Sequence, residues 1–233
     1  MDRFGLIGYP IAGSLSPMLF SQAYHGRRAY DLVEEPDFER AWERFLSEYK
    51  AVNVTAPYKE AAFARADLPS EASRAIGACN ILVRTEKGVA AHNSDFLGVK
   101  SILSELDVTA GTTLVIGYGG AGKAAEAAAR ALGYDVVVCN RSTDKAAGIR
   151  PLEEIPLLAG ISDVVIYTLP CPIPETAGMQ CPVLLEANYR TPSLERAPGI
   201  GRYVSGREWI LRQAVLGYAL MTGEEPDSNN MSL

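Results

Sequence analysis

The chain has 233 residues, 48% of them hydrophobic and 21% charged, with a net charge of −6. This balance excludes a disordered chain and supplies apolar surface for one large or two modest domains. It also excludes nucleic acid as the main partner, because phosphate backbones select basic surfaces. No apolar run approaches 18 residues, so no membrane span is expected. The opening Met1-Asp2-Arg3-Phe4 lacks a basic region followed by a long apolar stretch. The cysteines, Cys79, Cys139, Cys171 and Cys181, lie far apart and form no C-x-x-C pair. They read as four buried thiols of a reduced, cytoplasmic chain, with no disulfide framework and no metal site.

Taken in order, "RFGLIG" predicts a strand running into a turn. Ser14 and Ser16 alternate with Leu15, which in an extended segment points both hydroxyls to one side. They serve equally as turn or cap residues ahead of Pro17. "DFERAWERFLSEY" predicts a helix with Phe38, Trp42, Phe45, Leu46 and Tyr49 on one face and Asp37 at its start. "KAVNVT" predicts a second strand, and Pro57 after it allows a new helix to begin with Lys59 near its start. "CNILVRTEKGVAAHN" predicts a hairpin turning at Glu86-Lys87-Gly88. Asp95 by itself reads as the N-cap of a helix from Phe96.

The pattern changes near Thr112. "TTLVIG", "DVVVCN", "SDVVIYTL" and "VLLEANY" are short continuous apolar runs suited to parallel strands buried on both faces. The alanine-rich segment Ala124 to Leu132 predicts a helix between the first two, which makes a βαβ unit. From Gly206, "REWILRQAVLGYALMTG" predicts a helix with Trp209, Gln213, Leu216 and Leu220 near one stripe. The closing "EEPDSNNMSL" predicts a frayed end.

The glycine-rich turn admits two chemistries. Gly117, Gly122 and Lys123 have the spacing of a triphosphate-binding loop, whereas Gly117, Gly119 and Gly122 have that of a dinucleotide fold. Ala124 stands where the triphosphate loop needs a hydroxyl for magnesium, and no following strand ends in a magnesium-binding aspartate. The dinucleotide pattern accounts for each glycine: a tight turn, backbone approach to a pyrophosphate, and close helix–strand packing. The helix start beyond Gly119 then offers N–H groups to phosphate. After the second strand, an acid would accept the ribose hydroxyls of NAD. Here Asn140-Arg141-Ser142, with Lys145 close by, suits the 2′-phosphate of NADP.

Several segments, in order and spanning nearly the whole chain, resemble the shikimate dehydrogenase family. "GYPIAGSLSP" resembles its G-x-P-x-x-x-S-x-S-P signature and "NVTAPYKE" its N-V-T-x-P-x-K segment. "GACNIL" and "HNSDFLG" resemble A-x-N-T and N-T-D-x-x-G. "GYGGAGKA", "CNRS" and "SGREWILRQA" resemble the glycine turn, the N-R-T element and the closing helix. The resemblance implies an α/β chain of two domains. Residues 1–99 with 206–233 would bind substrate, and residues 100–205 would form a Rossmann-type NADP domain, with the active site in the cleft. It implies reversible, NADP-dependent interconversion of 3-dehydroshikimate and shikimate, in the cytoplasm and without a metal. A homodimer is compatible with it.

The resemblance also implies roles. Lys59 and Asp95 would be the catalytic pair. Ser14 and Ser16 would bind the substrate carboxylate, with Tyr189 near that end, and Thr55, Asn80, Asn93 and Gln213 would hold ring hydroxyls. Gly117, Gly119, Gly120, Ala121 and Gly122 would cradle the pyrophosphate. Arg141, Ser142 and Lys145 would surround the 2′-phosphate, with Asn140 also on the cofactor and Thr168 and Gly206 near the nicotinamide. The chain departs from the family pattern at Ile81, at Ser94, within "MLFSQ", at Glu186 and at Tyr118, which bears on substrate preference. Its connections in the second half are compact. Two rivals stand beside this reading. One is an enzyme preferring quinate or NAD, against which Arg141 argues. The other is a non-catalytic sensor of NADPH or a cyclohexene carboxylate, against which Lys59 and Asp95 argue.

Overall fold

The computed structural model describes residues 2–108 and 111–233. In chain order the elements are β1 (Phe4–Gly8), α1 (Ser16–Ala23), β2 (Tyr30–Glu34), α2 (Phe38–Glu48), β3 (Ala51–Val54), α3 (Lys59–Arg65), β4 (Leu68–Pro69), α4 (Glu71–Ile76), β5 (Ile81–Thr85) and β6 (Gly88–His92). There follow α5 (Ser94–Ser104), β7 (Thr112–Ile116), α6 (Gly120–Ala131), β8 (Asp135–Cys139), α7 (Ile155–Gly160), β9 (Val164–Tyr167), β10 (Cys181–Glu186), β11 (Ile200–Val204) and α8 (Gly206–Thr222). Two compact units emerge: Met1–Ser94 with Gln213–Leu233, and Asp95–Arg212. Among the described residues no helix is long and apolar enough to cross a membrane.

The first unit holds a mixed sheet in the order β2-β1-β3-β5-β6-β4. β1 runs parallel to β2 and β3, and the β5–β6 hairpin joins through β5, antiparallel to β3. Gly88, opposite Thr85 at the hairpin turn, has φ +122°, a conformation that favours glycine. α2 begins as predicted, with Asp37 accepting from the Arg40 N–H. Its Ala41, Trp42 and Phe45 are buried against Tyr49, Val52 and Val54, each large side chain contributing about 1.5–3 kcal/mol. Leu46 faces solvent instead, because the buried stripe is narrower than the apolar pattern.

Several local expectations change. Ser14-Leu15-Ser16 is not extended: Leu15 is helical in φ/ψ and α1 starts at Ser16 with Pro17 in its first turn. Asp95 lies inside the first turn of α5, one residue after Ser94. On α8 the buried face is Trp209, Ala214, Tyr218 and Met221, while Leu216 and Leu220 are exposed. The C-terminal segment is not frayed. Asp227 N–H donates to the Ala23 carbonyl at 3.0 Å, Asn230 Nδ2 to the Gln22 carbonyl at 2.7 Å, and Met231 is buried. Strands β2, β4 and β11 and helices α1, α4 and α7 were not predicted.

The second unit holds an all-parallel sheet in the order β11-β10-β9-β7-β8. The strand order reverses between β7 and β9, the switch point of a doubly wound fold. Outside β8, Arg150 makes an isolated parallel bridge to Cys139, with Asn140 N–H on its carbonyl at 3.0 Å. A single residue thus occupies the place of a further edge strand, one source of the compact connections. Glu186, at the end of β10, is fully buried. Its carboxylate accepts from the Ser193 N–H at 2.7 Å, the Leu194 N–H at 3.2 Å and the Tyr203 hydroxyl at 2.8 Å. Burial and the bonded carboxylate push the Tyr203 hydroxyl well above the usual tyrosine range.

Three cysteines are buried and Cys171 is exposed, which corrects the expectation of four buried thiols. Burial pushes Cys79 up to about 12 and Cys139 and Cys181 up to about 11. Iodoacetamide at pH 8 should therefore add one group to the folded protein, at Cys171, and four after denaturation, as counted by intact mass. Glu186→Ala strands three donors, each costing on the order of 1 kcal/mol or more when buried without a partner. Urea unfolding should show a loss of about 3 kcal/mol, and a loss below about 1 kcal/mol would mean that water replaces the carboxylate.

Candidate active site

In the first unit, strand direction collects the polar residues. β1, β3 and β6 end at one edge of the sheet, and β5 begins there. The segments leaving that edge carry Ser14 and Ser16 after β1, Thr55 and Lys59 after β3, and Asn93 after β6. Asn80 lies just before β5. Gly8 makes the first two segments compatible. A Cβ there would overlap the Thr55 methyl and lie 2.9 Å from Ile11 Cγ2. Thr55 N–H donates to the Ile7 carbonyl at 3.0 Å, and Tyr9 N–H to the Ala56 carbonyl at 3.1 Å.

Ser14 and Ser16 have their hydroxyl oxygens 3.2 Å apart, and Ser14 Oγ also accepts from the Ser16 N–H. The turn therefore brings the hydroxyls together without an extended backbone. The Tyr218 hydroxyl donates to the Ser16 carbonyl at 3.2 Å, tying α8 to this turn. Its burial pushes that phenol well above the usual tyrosine range. Neither Tyr218 nor Tyr30, whose ring centroid lies 6.3 Å away, was singled out in the sequence. Their signal, aromatics beside a serine turn, becomes visible only once distant segments meet.

Lys59 opens α3 and is half-buried. Its carbonyl accepts the Cys79 N–H at 3.0 Å, and its positive charge partly offsets the effect of burial on the Cys79 thiol. Asn80 and Asn93 are buried, at 5% and 3% exposure. Such carboxamides need partners. Asn93 Nδ2 donates to the Ala78 carbonyl at 3.2 Å, and Asn80 bonds Ser94. Gln213 Oε1 accepts from the Ser94 hydroxyl at 2.7 Å.

In the second unit, the carboxyl ends of β7, β8, β9 and β10 carry most of the remaining predicted residues, with Gly206 after β11 and Asp95 in α5. Gly117 has φ +99°, and a Cβ there would sit 2.5 Å from Thr168 Oγ1. A Cβ at Gly122 would overlap the Gly117 carbonyl. These two glycines are therefore packing requirements. Gly119, the N-cap of α6, and Gly120 face open space on their Cβ side. That leaves backbone N–H groups of a helix start approachable by an anion, as a pyrophosphate requires. Ala121 follows in the same turn, and Lys123 Nζ lies 5.9 Å from the Tyr118 ring centroid.

Asn140 braces this loop from the end of β8. Its Oδ1 accepts from the Tyr118 N–H at 3.2 Å, and its Nδ2 donates to the Ser142 carbonyl at 3.0 Å. Arg141 and Lys145 are exposed beside it, and Ser142 is half-buried. This donor-rich set fits a dinucleotide carrying a further phosphate. Thr168 Oγ1 donates to the Ile116 carbonyl at 2.8 Å. Gly206 starts α8 where a Cβ would lie 2.6 Å from the Ala187 carbonyl oxygen. A cavity of about 330 Å³ opens between the ends of β9 and β10, lined among others by Thr168, Asn188, Tyr189 and Arg190. The Arg190 guanidinium lies 5.7 Å from the Tyr189 ring centroid and donates to its hydroxyl at 3.3 Å. Among the described residues no group of three or more His, Cys, Asp or Glu is placed to hold a metal ion.

The two units account for the predicted residues as two polar edges, with Lys59 in the first unit and Asp95 in the second. Comparison with known proteins is consistent along the chain. Residues 6–82 match the family model described as the shikimate dehydrogenase substrate binding domain. The chain is 30% identical to the NADP(+) shikimate dehydrogenase of Archaeoglobus fulgidus, over 97% of this chain and 95% of that one. It superposes on the shikimate dehydrogenase of Mycobacterium tuberculosis with a TM-score of 0.83 at 31% identity, covering 99% and 97% of the two chains. It superposes on the Thermus thermophilus shikimate 5-dehydrogenase in complex with NADP(H) and shikimate with a TM-score of 0.84 at 28% identity, covering 99% and 97%. This chain belongs to the shikimate dehydrogenase family.

Proposed function

We propose that this protein is an NADP-dependent oxidoreductase that reversibly reduces 3-dehydroshikimate to shikimate in the cytoplasm. The observation that carries the reading is the edge of the first sheet. Separate chain segments there bring two serines, a threonine, a lysine and two buried asparagines to the ends of adjoining strands. A ring bearing a carboxylate, several hydroxyls and one ketone calls for that mixture. Hydroxyl donors suit the carboxylate, carboxamides suit the ring hydroxyls, and an ammonium suits the ketone oxygen.

Reduced NADP, when bound, supplies the hydride for the ketone carbon. The chain's own part is to hold the ring and manage one proton. The Lys59 ammonium stabilises negative charge developing on the ketone oxygen and delivers the proton there, an effect of roughly 10²–10⁴-fold. Asp95 is its carboxylate partner and orients the amine. Ser14 and Ser16 hold the ring carboxylate, with Tyr189 near that end. Thr55, Asn80, Asn93 and Gln213 hold hydroxyls, and leaving either buried asparagine unpaired costs about 1–3 kcal/mol, which gives the site its discrimination. For the cofactor, the open faces of Gly119 and Gly120 support a pyrophosphate against the start of α6, with Gly117, Ala121 and Gly122 shaping the turn. Arg141, Ser142 and Lys145 take the 2′-phosphate beside Asn140, and Thr168 and Gly206 border the nicotinamide.

Shikimate oxidation with NADP, followed by absorbance of the reduced nicotinamide, tests the reaction directly; no turnover at saturating concentrations would refute it. Lys59→Ala should lower kcat at least 100-fold while leaving NADPH affinity within about threefold. An unchanged kcat would remove Lys59 from the chemistry. Arg141→Ala should weaken NADPH at least tenfold and NADH little, the loss expected for a charge-assisted contact to phosphate. Equal losses for both cofactors would place the 2′-phosphate elsewhere.

A further inference from the structure

Ser94 forms the centre of a buried hydrogen-bond relay, and its direction can be read from donor and acceptor counts. The residue is fully buried at the start of α5. Its backbone N–H, one of the donors that a helix start leaves without an intrahelical partner, donates to Asn80 Oδ1 at 2.7 Å. Asn80 Nδ2 donates back to Ser94 Oγ at 3.1 Å. The two residues thus form a closed pair that fixes both ends of the Asn80 carboxamide. Having accepted from Asn80, the Ser94 hydroxyl gives its single proton to Gln213 Oε1 at 2.7 Å.

The relay runs one way: Asn80 amide to Ser94 hydroxyl to Gln213 carbonyl. It sets the Gln213 carboxamide with its oxygen toward Ser94 and its amino group on the far side. α8 is able to come this close because residue 217, one turn beyond Gln213, is glycine. A Cβ there would lie 3.1 Å from Ser94 Cβ and Oγ and 2.9 Å from Ile81 Cδ1.

We infer that Ser94 is a positioning residue for substrate recognition: it orients the carboxamides of Asn80 and Gln213 so that Gln213 presents a donor end to an oxygen of the ring. This rests on the proposed roles of Asn80 and Gln213 in holding ring hydroxyls. Ser94 itself need not touch the ring. Removing its hydroxyl strands Asn80 Nδ2 and takes away one of the contacts that hold the Gln213 carboxamide, so its effect falls on binding of the ring rather than on the cofactor or the proton step.

The test measures the Kd of shikimate by calorimetry, together with KM and kcat, for the full-length wild type, Ser94→Ala, Ser94→Thr, Gln213→Ala and the Ser94→Ala/Gln213→Ala double variant. Ser94→Ala should weaken shikimate about tenfold in both Kd and KM, with kcat and the KM for NADP within threefold of wild type. Ser94→Thr, which keeps the hydroxyl, should restore the affinity to within threefold. The double variant should lose less than the product of the two single losses, because both act on one carboxamide. Unchanged affinity in Ser94→Ala, or multiplicative losses in the double variant, would overturn the inference. So would a Ser94→Ala variant that fails to fold or shifts every parameter together, with no rescue by threonine. A wild type that binds shikimate without oxidising it fails the proposed reaction alone and leaves the Kd comparison to decide the relay. A wild type that does not bind shikimate overturns both.

Discussion

Parallel hydrogen bonding fixes where chemistry can occur in this protein. When β1 pairs parallel with β3, their carboxyl ends lie at the same edge, and the chains leaving them must pass side by side. The serine turn and the threonine–lysine segment are therefore neighbours before any side chain is specified. The hairpin adds the rest. Because β5 is antiparallel to β3 and β6 to β5, the start of β5 and the end of β6 return to that same edge with Asn80 and Asn93. The parallel sheet of the second unit repeats the constraint, with the glycine turn, the Asn140-Arg141-Ser142 loop and Thr168 leaving the ends of three adjacent strands.

Close backbone approach is the second requirement, met by particular glycines for different reasons. Gly8, Gly117 and Gly122 have neighbours where a Cβ would stand, so their role is packing. Gly119 and Gly120 have open space, so their role is access. The G-x-G-x-x-G spacing does not separate these cases, since it gives the glycines without their surroundings. The buried polar groups show a similar division. Glu186 with its three donors holds the backbone that follows β10, whereas the Asn80–Ser94–Gln213 chain links side chains to which we assign ring binding. Low local dielectric makes both networks costly to leave half-made.

Much of this was legible in the sequence. The four apolar runs from Thr112 onward became β7 to β10, and the alanine-rich segment became α6, because continuous apolar strands and strong helix formers carry a signal within a few residues. The order of motifs pointed to the family for the same reason: each motif is local. The errors also have a common cause. Leu46, Leu216 and Leu220 fit a helical period yet face solvent, since periodicity says that a face exists and not how wide its partner is. Cys171 is exposed although cysteine is usually buried, and the C-terminal segment is held by Gln22 and Ala23, some 200 residues earlier in the chain.

The sequence alone determined the parallel βαβ pattern of the second half, the glycine turn and the cations after the second strand, which follow from propensity, period and short-range spacing between residues close in the chain. A site for a polyhydroxylated ring came only as what the family resemblance implies. Tertiary structure alone decided that Ser94 meets Gln213 across 119 positions, that Glu186 is a buried acceptor, that Arg150 stands in for an edge strand, and that Ser14 and Ser16 share a turn. Apart from the local serine turn, each of these depends on which more distant part of the chain arrives within hydrogen-bonding reach, and only the folded chain settles that.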